Sequence, residues 1–212
     1  MPRRENDREH AFVGYSEKLP EHVYEARRED ATTVEEEGAR EPMLVLETFA
    51  GVIEIVLRQD WAPQLTEALV RGLDGSGVVG ADAREGWFYR SEAAPEPGAI
   101  DNYGGPGPPY ALLQGTLASV LGTGTYEKEP GPEALRGYAC LIGGGPDFFI
   151  ASRAHKEWGN AHTVFGEVTE ASMVVVDTVT EEYPVHRELW GQTNVTVLDE
   201  RLAFAASLKN GV

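Results

Sequence analysis

The sequence predicts a mainly β fold, a closed antiparallel barrel with two flanking helices. Short β-branched and aromatic runs, divided by Gly, Pro and Asn, recur through most of the chain. Only two stretches show the apolar spacing of a helix. Hydrophobic residues make up 42% of the 212 residues, which is close to the average for globular proteins. Many short strands with few helices favour a barrel, because closure removes unpaired strand edges.

The first part of the chain, residues 1–42, differs in composition from the rest. It carries seven basic and twelve acidic side chains, and its few apolar residues are too sparse to bury one face of an element. We therefore expect a charged N-terminal extension that lies outside the barrel. Such an arm is suited to association with a larger protein assembly.

The barrel is predicted to begin with a hairpin followed by a helix. Met43–Thr48 and Gly51–Leu57 are aliphatic, β-branched runs separated by a short turn. A helix is expected over residues 62–71, because Pro63 suits a first turn and the apolar residues after it recur at helical spacing.

The remaining elements are shorter. Strands are predicted near residues 87–89, 138–142, 148–151, 163–165 and 195–198. A second helix is predicted over residues 170–179, although the three consecutive valines there equally suit a strand. These elements give a domain over 43–199, a Pro- and Gly-rich insertion near 91–109 and a C-terminal tail over 200–212.

Charge and motif content exclude several classes of function. A net charge of −17 with a pI near 4.6 opposes binding to nucleic acid. We expect no transmembrane segment, because no apolar run approaches the length that spans a bilayer. The chain is expected to be soluble, either cytoplasmic or in an organellar lumen or stroma after removal of a targeting peptide. The five histidines lack metal-ligand spacing and no phosphate-binding loop is present, so neither a metal nor a cofactor is expected.

One stretch carries a specific pattern. A Phe-Phe-Ile run at 148–150 is followed by Glu157 and Trp158, then by His162, then by Val-Phe-Gly at 164–166. In this order and spacing, the stretch resembles the core signature of the cyclophilins, barrel-forming peptidyl-prolyl cis-trans isomerases. Upstream, residues 88–90 and the Gln-Gly step at 114–115 resemble two further elements of the family. The resemblance covers roughly residues 43–199.

The resemblance implies a role for each of five residues. Arg90 would be the catalytic arginine, and Gln114 would contact the substrate backbone. Phe149 would form the floor of the proline pocket, His162 part of its wall and Trp158 the adjoining rim. The implied partner is a proline-containing peptide or protein, and the implied reaction needs no metal.

The sequence also departs from the family pattern around this implied groove. Ala111 stands where an aromatic wall is usual, and Ile142 and Gly143 replace an Ala-Asn step that leaves space and bonds the peptide. Asp147 replaces a glutamine, and 23 residues separate Arg90 from Gln114, many more than in the family. These departures favour either weak isomerase activity or a non-catalytic structural or accessory subunit, and the sequence leaves both functions open.

Overall fold

The computed structural model describes residues 41–74, 84–95 and 110–209. Most of the charged extension (1–40), most of the insertion (96–109) and the last three residues lie outside the described residues. The elements, in chain order, are β1 (Met43–Thr48), β2 (Gly51–Leu57), α1 (Pro63–Leu73), β3 (Arg84–Glu92), β4 (Leu112–Thr116), α2 (Ala118–Leu121), β5 (Tyr138–Leu141), β6 (Asp147–Ala151), a 3-10 turn (Lys156–Trp158), β7 (Thr163–Val168), α3 (Glu170–Glu182), β8 (Val185–Trp190) and β9 (Thr193–Lys209).

The described strands form a closed antiparallel barrel, so the predicted fold class is confirmed. The strand order around the barrel is β1-β2-β7-β5-β6-β4-β3-β9, and β9 pairs back onto β1. Eight strands therefore close the barrel. β8 pairs with the first part of β9 and extends the sheet as a hairpin.

The C-terminal strand extends beyond residue 199, where the sequence predicted that the domain ends. Residues 200–212 were expected to form a tail, yet β9 continues through Lys209 and pairs with β1 from Met43↔Lys209 to Thr48↔Phe204. Leu202, Phe204 and Ala206 are buried at every second position, as on a half-buried strand. Their burial in the core ties this segment to the barrel.

Both predicted helices are present, and local chemistry explains each of them. α1 begins with Pro63, and the carboxylate of Glu129 accepts hydrogen bonds from the backbone N–H of Gln64 and Leu65 at 2.9 and 2.8 Å. A distant side chain therefore caps this helix. In α3, Thr169 Oγ1 accepts a hydrogen bond from the Ser172 N–H and so caps the start of the helix. The three valines alone were equally compatible with a strand, and the structure forms the helix.

The two faces of β6 supply two separate apolar clusters. Phe148 lies in the main core, with its ring centroid 5.7 Å from that of Phe88 and 6.3 Å from that of Phe165. Phe149 points the other way and packs in a smaller cluster with Leu112 and Val164. The barrel thus directs Phe149 away from its main core and into this smaller cluster.

Candidate active site

Arg90 and Gln114 lie opposite each other on neighbouring strands. They are paired in register between β3 and β4, next to a bulge between Phe88 and Arg90. The Arg90 Nη1 donates to Gln114 Oε1 at 3.1 Å, and Gln114 Nε2 donates to the Tyr89 hydroxyl at 2.6 Å. The structure therefore brings together two of the five residues singled out by the sequence.

Arg90 also forms a buried ion pair that the sequence analysis missed. Its Nε and Nη2 both donate to Glu92 Oε1 at 3.1 Å. Glu92 is 1% exposed and Arg90 is 8% exposed. Thr196 on β9 holds the carboxylate in place, because its N–H donates to Glu92 Oε1 at 2.9 Å and its hydroxyl to Oε2 at 2.7 Å. A guanidinium has five N–H donors, and at least three of those on Arg90 already bond side chains.

Two aromatic rings lie against the Arg90 guanidinium. Its Cζ is 4.2 Å from the centroid of Tyr110 and 5.3 Å from that of Trp190, both within the range of a cation–π interaction. Tyr110 corrects the expectation that Ala111 leaves the site without an aromatic wall. Ala111 is fully buried with φ of +31°, and the ring of the residue before it lines the site instead.

The other three residues implied by the resemblance form one aromatic cluster. The Phe149 ring centroid lies 5.4 Å from that of Trp158 and 5.1 Å from that of His162, both edge-to-face. Trp158 is also 6.0 Å from Tyr110, so Tyr110 connects this cluster to Arg90. Phe149 is only 1% exposed. The rings around it cover the expected floor of the proline pocket.

His155 is a further member of this cluster that the sequence did not indicate. Its imidazole stacks on Trp158 with centroids 3.7 Å apart and planes 5° from parallel, and its Nδ1 is 3.0 Å from Glu157 Oε1. Burial lowers the pKa of His155, and it also lowers the pKa of His162. Both imidazoles are therefore neutral near pH 7, and the His155–Glu157 contact is a hydrogen bond rather than an ion pair.

Ile142, Gly143 and Asp147, the other residues that depart from the family pattern, lie in three different surroundings. Ile142 packs partly buried against the Phe149 cluster, as expected of a bulkier residue there. Gly143 has φ of +55° and open space around it. Asp147 does not join the Phe149 cluster, and instead lines a cavity beside Tyr89 and Trp190.

Other candidate chemistry is limited in the described part of the chain. Burial raises the pKa of the Cys140 thiol, which is fully enclosed and therefore a poor nucleophile. Within residues 41–74, 84–95 and 110–209, no group of three or more His, Cys, Asp or Glu could hold a metal ion. No helix in these same ranges is long and apolar enough to cross a membrane.

Comparison with known proteins supports the architecture. No family model matches the sequence, and no curated protein matches it. Among solved structures, the chain is similar to a cyclophilin-type peptidyl-prolyl cis-trans isomerase from Cryptosporidium parvum, with a TM-score of 0.55 and 11% sequence identity. The match covers 82% of this chain and 99% of that one. At this identity the likeness shows a shared fold.

Proposed function

We propose that this chain is a cyclophilin-like peptidyl-prolyl cis-trans isomerase with weak activity on X–Pro bonds. The observation that carries the proposal is the Arg90–Gln114 pair, joined through Tyr110 to the cluster of Phe149, Trp158 and His162. A charged donor, an amide and a set of aromatic rings are the groups that a proline-containing peptide would need. The cyclophilin-like barrel is consistent with this assignment.

The chemistry requires no covalent step. Rotation about an X–Pro amide is opposed by a resonance barrier of about 18–20 kcal/mol. A guanidinium that donates to the prolyl nitrogen withdraws its lone pair from conjugation and stabilises the twisted transition state. Arg90 suits this role because an arginine stays protonated at any physiological pH. Gln114 would orient the peptide backbone, while Tyr110 and Trp158 would contact the proline ring.

Two features of the site make this activity weak. Glu92 takes two of the hydrogen bonds that Arg90 could offer to substrate and offsets its positive charge. Phe149 is covered, so a proline ring must displace neighbouring rings to reach it. Uncovering half of a phenylalanine, which buries roughly 150–250 Å², costs about 2–3 kcal/mol. Such a cost corresponds to a loss of binding of about 30-fold to 150-fold.

The second candidate is a non-catalytic, structural or accessory subunit of a larger assembly. The closed cover over Phe149 favours it, because a site that never opens cannot grip a proline ring. In this case the surface around Tyr110, Trp158 and Trp190 would bind a partner protein without turnover. The acidic residues of the 1–42 extension would add to the association.

An isomerisation assay on a short X–Pro peptide tests the proposal. The wild-type chain is expected to accelerate cis-trans exchange measurably, and Arg90→Ala to reduce the rate to the spontaneous value. Arg84→Ala, at the other end of β3, is the matched control and should retain the wild-type rate. If the wild type gives no acceleration but the peptide shifts the Trp158 indole signal on titration, the accessory-subunit function is the correct one.

A further inference from the structure

A cavity of about 380 Å³ lies beside the candidate active site. Its lining comes from the β8–β9 hairpin and from β3, β4 and β6, and includes Trp87, Tyr89 and Trp190. No member of the Phe149 cluster lines it. The cavity adjoins Arg90 all the same, because Tyr89 accepts from Gln114 and Trp190 lies against the guanidinium. A peptide held at Arg90 could therefore extend a side chain into it.

The aromatic walls of this cavity are suited to a cation. Trp87 and Trp190 are 37% and 38% exposed, so part of each indole is open to a ligand. Each indole already contacts one guanidinium of this chain, since Arg201 Cζ is 5.2 Å from the Trp87 centroid and Arg90 Cζ is 5.3 Å from that of Trp190. Their geometry is thus compatible with cation–π contacts.

Two carboxylates line the same cavity. Glu188 accepts from Trp190 Nε1 at 2.7 Å, and this bond together with His186 lowers the pKa of Glu188, which therefore stays ionised. Asp147 lines the cavity together with Tyr89. Burial raises the pKa of Tyr89 to about 12, so its hydroxyl remains protonated at neutral pH and adds no negative charge.

The positive charge already in the cavity is smaller than this negative charge. Arg201 is the permanent cation of the lining. His186 lies between two carboxylates, with Nδ1 2.7 Å from Asp199 Oδ1 and Nε2 3.2 Å from Glu188 Oε1. Even when His186 is protonated, the three carboxylates of Asp147, Glu188 and Asp199 outnumber the two cations, His186 and Arg201, so the site favours a further cation.

We propose that this cavity binds the guanidinium of an arginine side chain on the partner protein. A guanidinium stacks on indole and presents a planar fork to a carboxylate, whereas an ammonium group offers only a point charge. The net charge of −17 also attracts a basic partner. The inference rests on the proposed function in one respect, that the partner is a peptide or protein.

The test uses N-acetyl-arginine amide and its neutral isostere N-acetyl-citrulline amide as probes. Titration is followed by the NMR signals of the four tryptophan indole N–H groups, assigned with single Trp→Phe variants. The arginine probe is expected to shift the Trp87 and Trp190 signals, and to bind at least about fivefold more tightly than citrulline. Asp147→Asn should weaken arginine binding at least about threefold. Glu133 is an exposed carboxylate outside the cavity, so Glu133→Gln should leave arginine binding unchanged.

Equal affinity for both probes would overturn the inference, as would arginine shifts confined to Trp61 and Trp158. Neither probe contains proline. A chain without isomerase activity would still bind arginine here, so failure of the proposed function and failure of this inference give different results.

Discussion

Replacing Arg90 and Glu92 singly and together measures how tightly the ion pair holds the candidate catalytic arginine. The set consists of Arg90→Met, Glu92→Gln and the double variant. Each single change leaves its former partner buried without its counter-charge, and breaking a buried pair in this way costs about 3–5 kcal/mol. Glu92 keeps its bonds from Thr196 in the Arg90→Met variant, which lessens that loss.

The double variant removes both charges at once. Its loss of stability should be smaller than the sum of the two single losses, with a coupling energy of about 2–4 kcal/mol. The free energy of unfolding is measured by urea titration at pH 7. Arg90→Met removes the contacts of Arg90 with Tyr110 whether residue 92 is Glu or Gln, so their contribution cancels from the coupling energy.

A pair on the surface of α1 provides the matched control. Arg71 and Glu67 form an ion pair one helical turn apart, and both side chains are more than 60% exposed. The same cycle on this pair should give a coupling of about 0.3–0.5 kcal/mol. If the coupling for Arg90 and Glu92 is no larger than that of the control, Glu92 does not restrain the arginine and the argument for weak activity loses its main support.

Three further predictions follow from other parts of the structure. Trp190→Ala should uncover Arg90 and raise the isomerisation rate about threefold to tenfold, with a stability loss of about 1 kcal/mol or less. Gly86→Ala should lower the melting temperature sharply, because a Cβ there would lie within 2.4 Å of a phenylalanine ring and 2.6 Å of a backbone oxygen. Stability should fall as the pH drops below 6.5, the ordinary histidine value, because burial lowers the pKa of His155 and His162 and protons then favour the unfolded chain. The slope, read from thermal melts, is at most about 1.4 kcal/mol per pH unit for each histidine.

Each of these three predictions has a direct control. An unchanged rate in Trp190→Ala would show that this ring does not limit access to Arg90. Gly124→Ala meets only ordinary contacts near 4.0 Å, so a comparable loss there would contradict the steric reason given for Gly86. His155→Gln should flatten the acid side of the stability curve, and an unaltered curve would assign that pH dependence to other groups.

Much of the fold was readable from the sequence, because periodic apolar patterns reflect burial directly. The first hairpin follows from two aliphatic, β-branched runs separated by a short turn, and α1 follows from a proline-started helical stripe. β8 was missed because all six of its residues are exposed, so no buried face marks it as a strand. The second half of β9 was missed because a polar run at 199–201 precedes it and alanines there have low strand propensity.

The candidate site was readable only in part. Arg90, Gln114 and the aromatic residues lie within recognisable motifs, and the structure places them together. The contact between Glu92 and Arg90 could have been predicted from the sequence, because residues two apart on a strand share a face and an arginine and a glutamate at that spacing can pair. The contacts of Tyr110 and Trp190 with Arg90 could not be predicted from the sequence. They depend on the positive φ at Ala111 and on the position of the β8–β9 hairpin.

The most direct test of the account compares isomerisation by the wild type, Arg90→Ala and Glu92→Gln, each shown to unfold cooperatively. A hydrogen bond to a carboxylate is stronger by about 1 kcal/mol than one to an amide. Weakening this restraint should therefore raise kcat/KM about fivefold in Glu92→Gln, while Arg90→Ala falls to the spontaneous rate. A Glu92→Gln variant no faster than the wild type, or an Arg90→Ala variant as fast as it, would contradict the claim that a restrained Arg90 carries the activity.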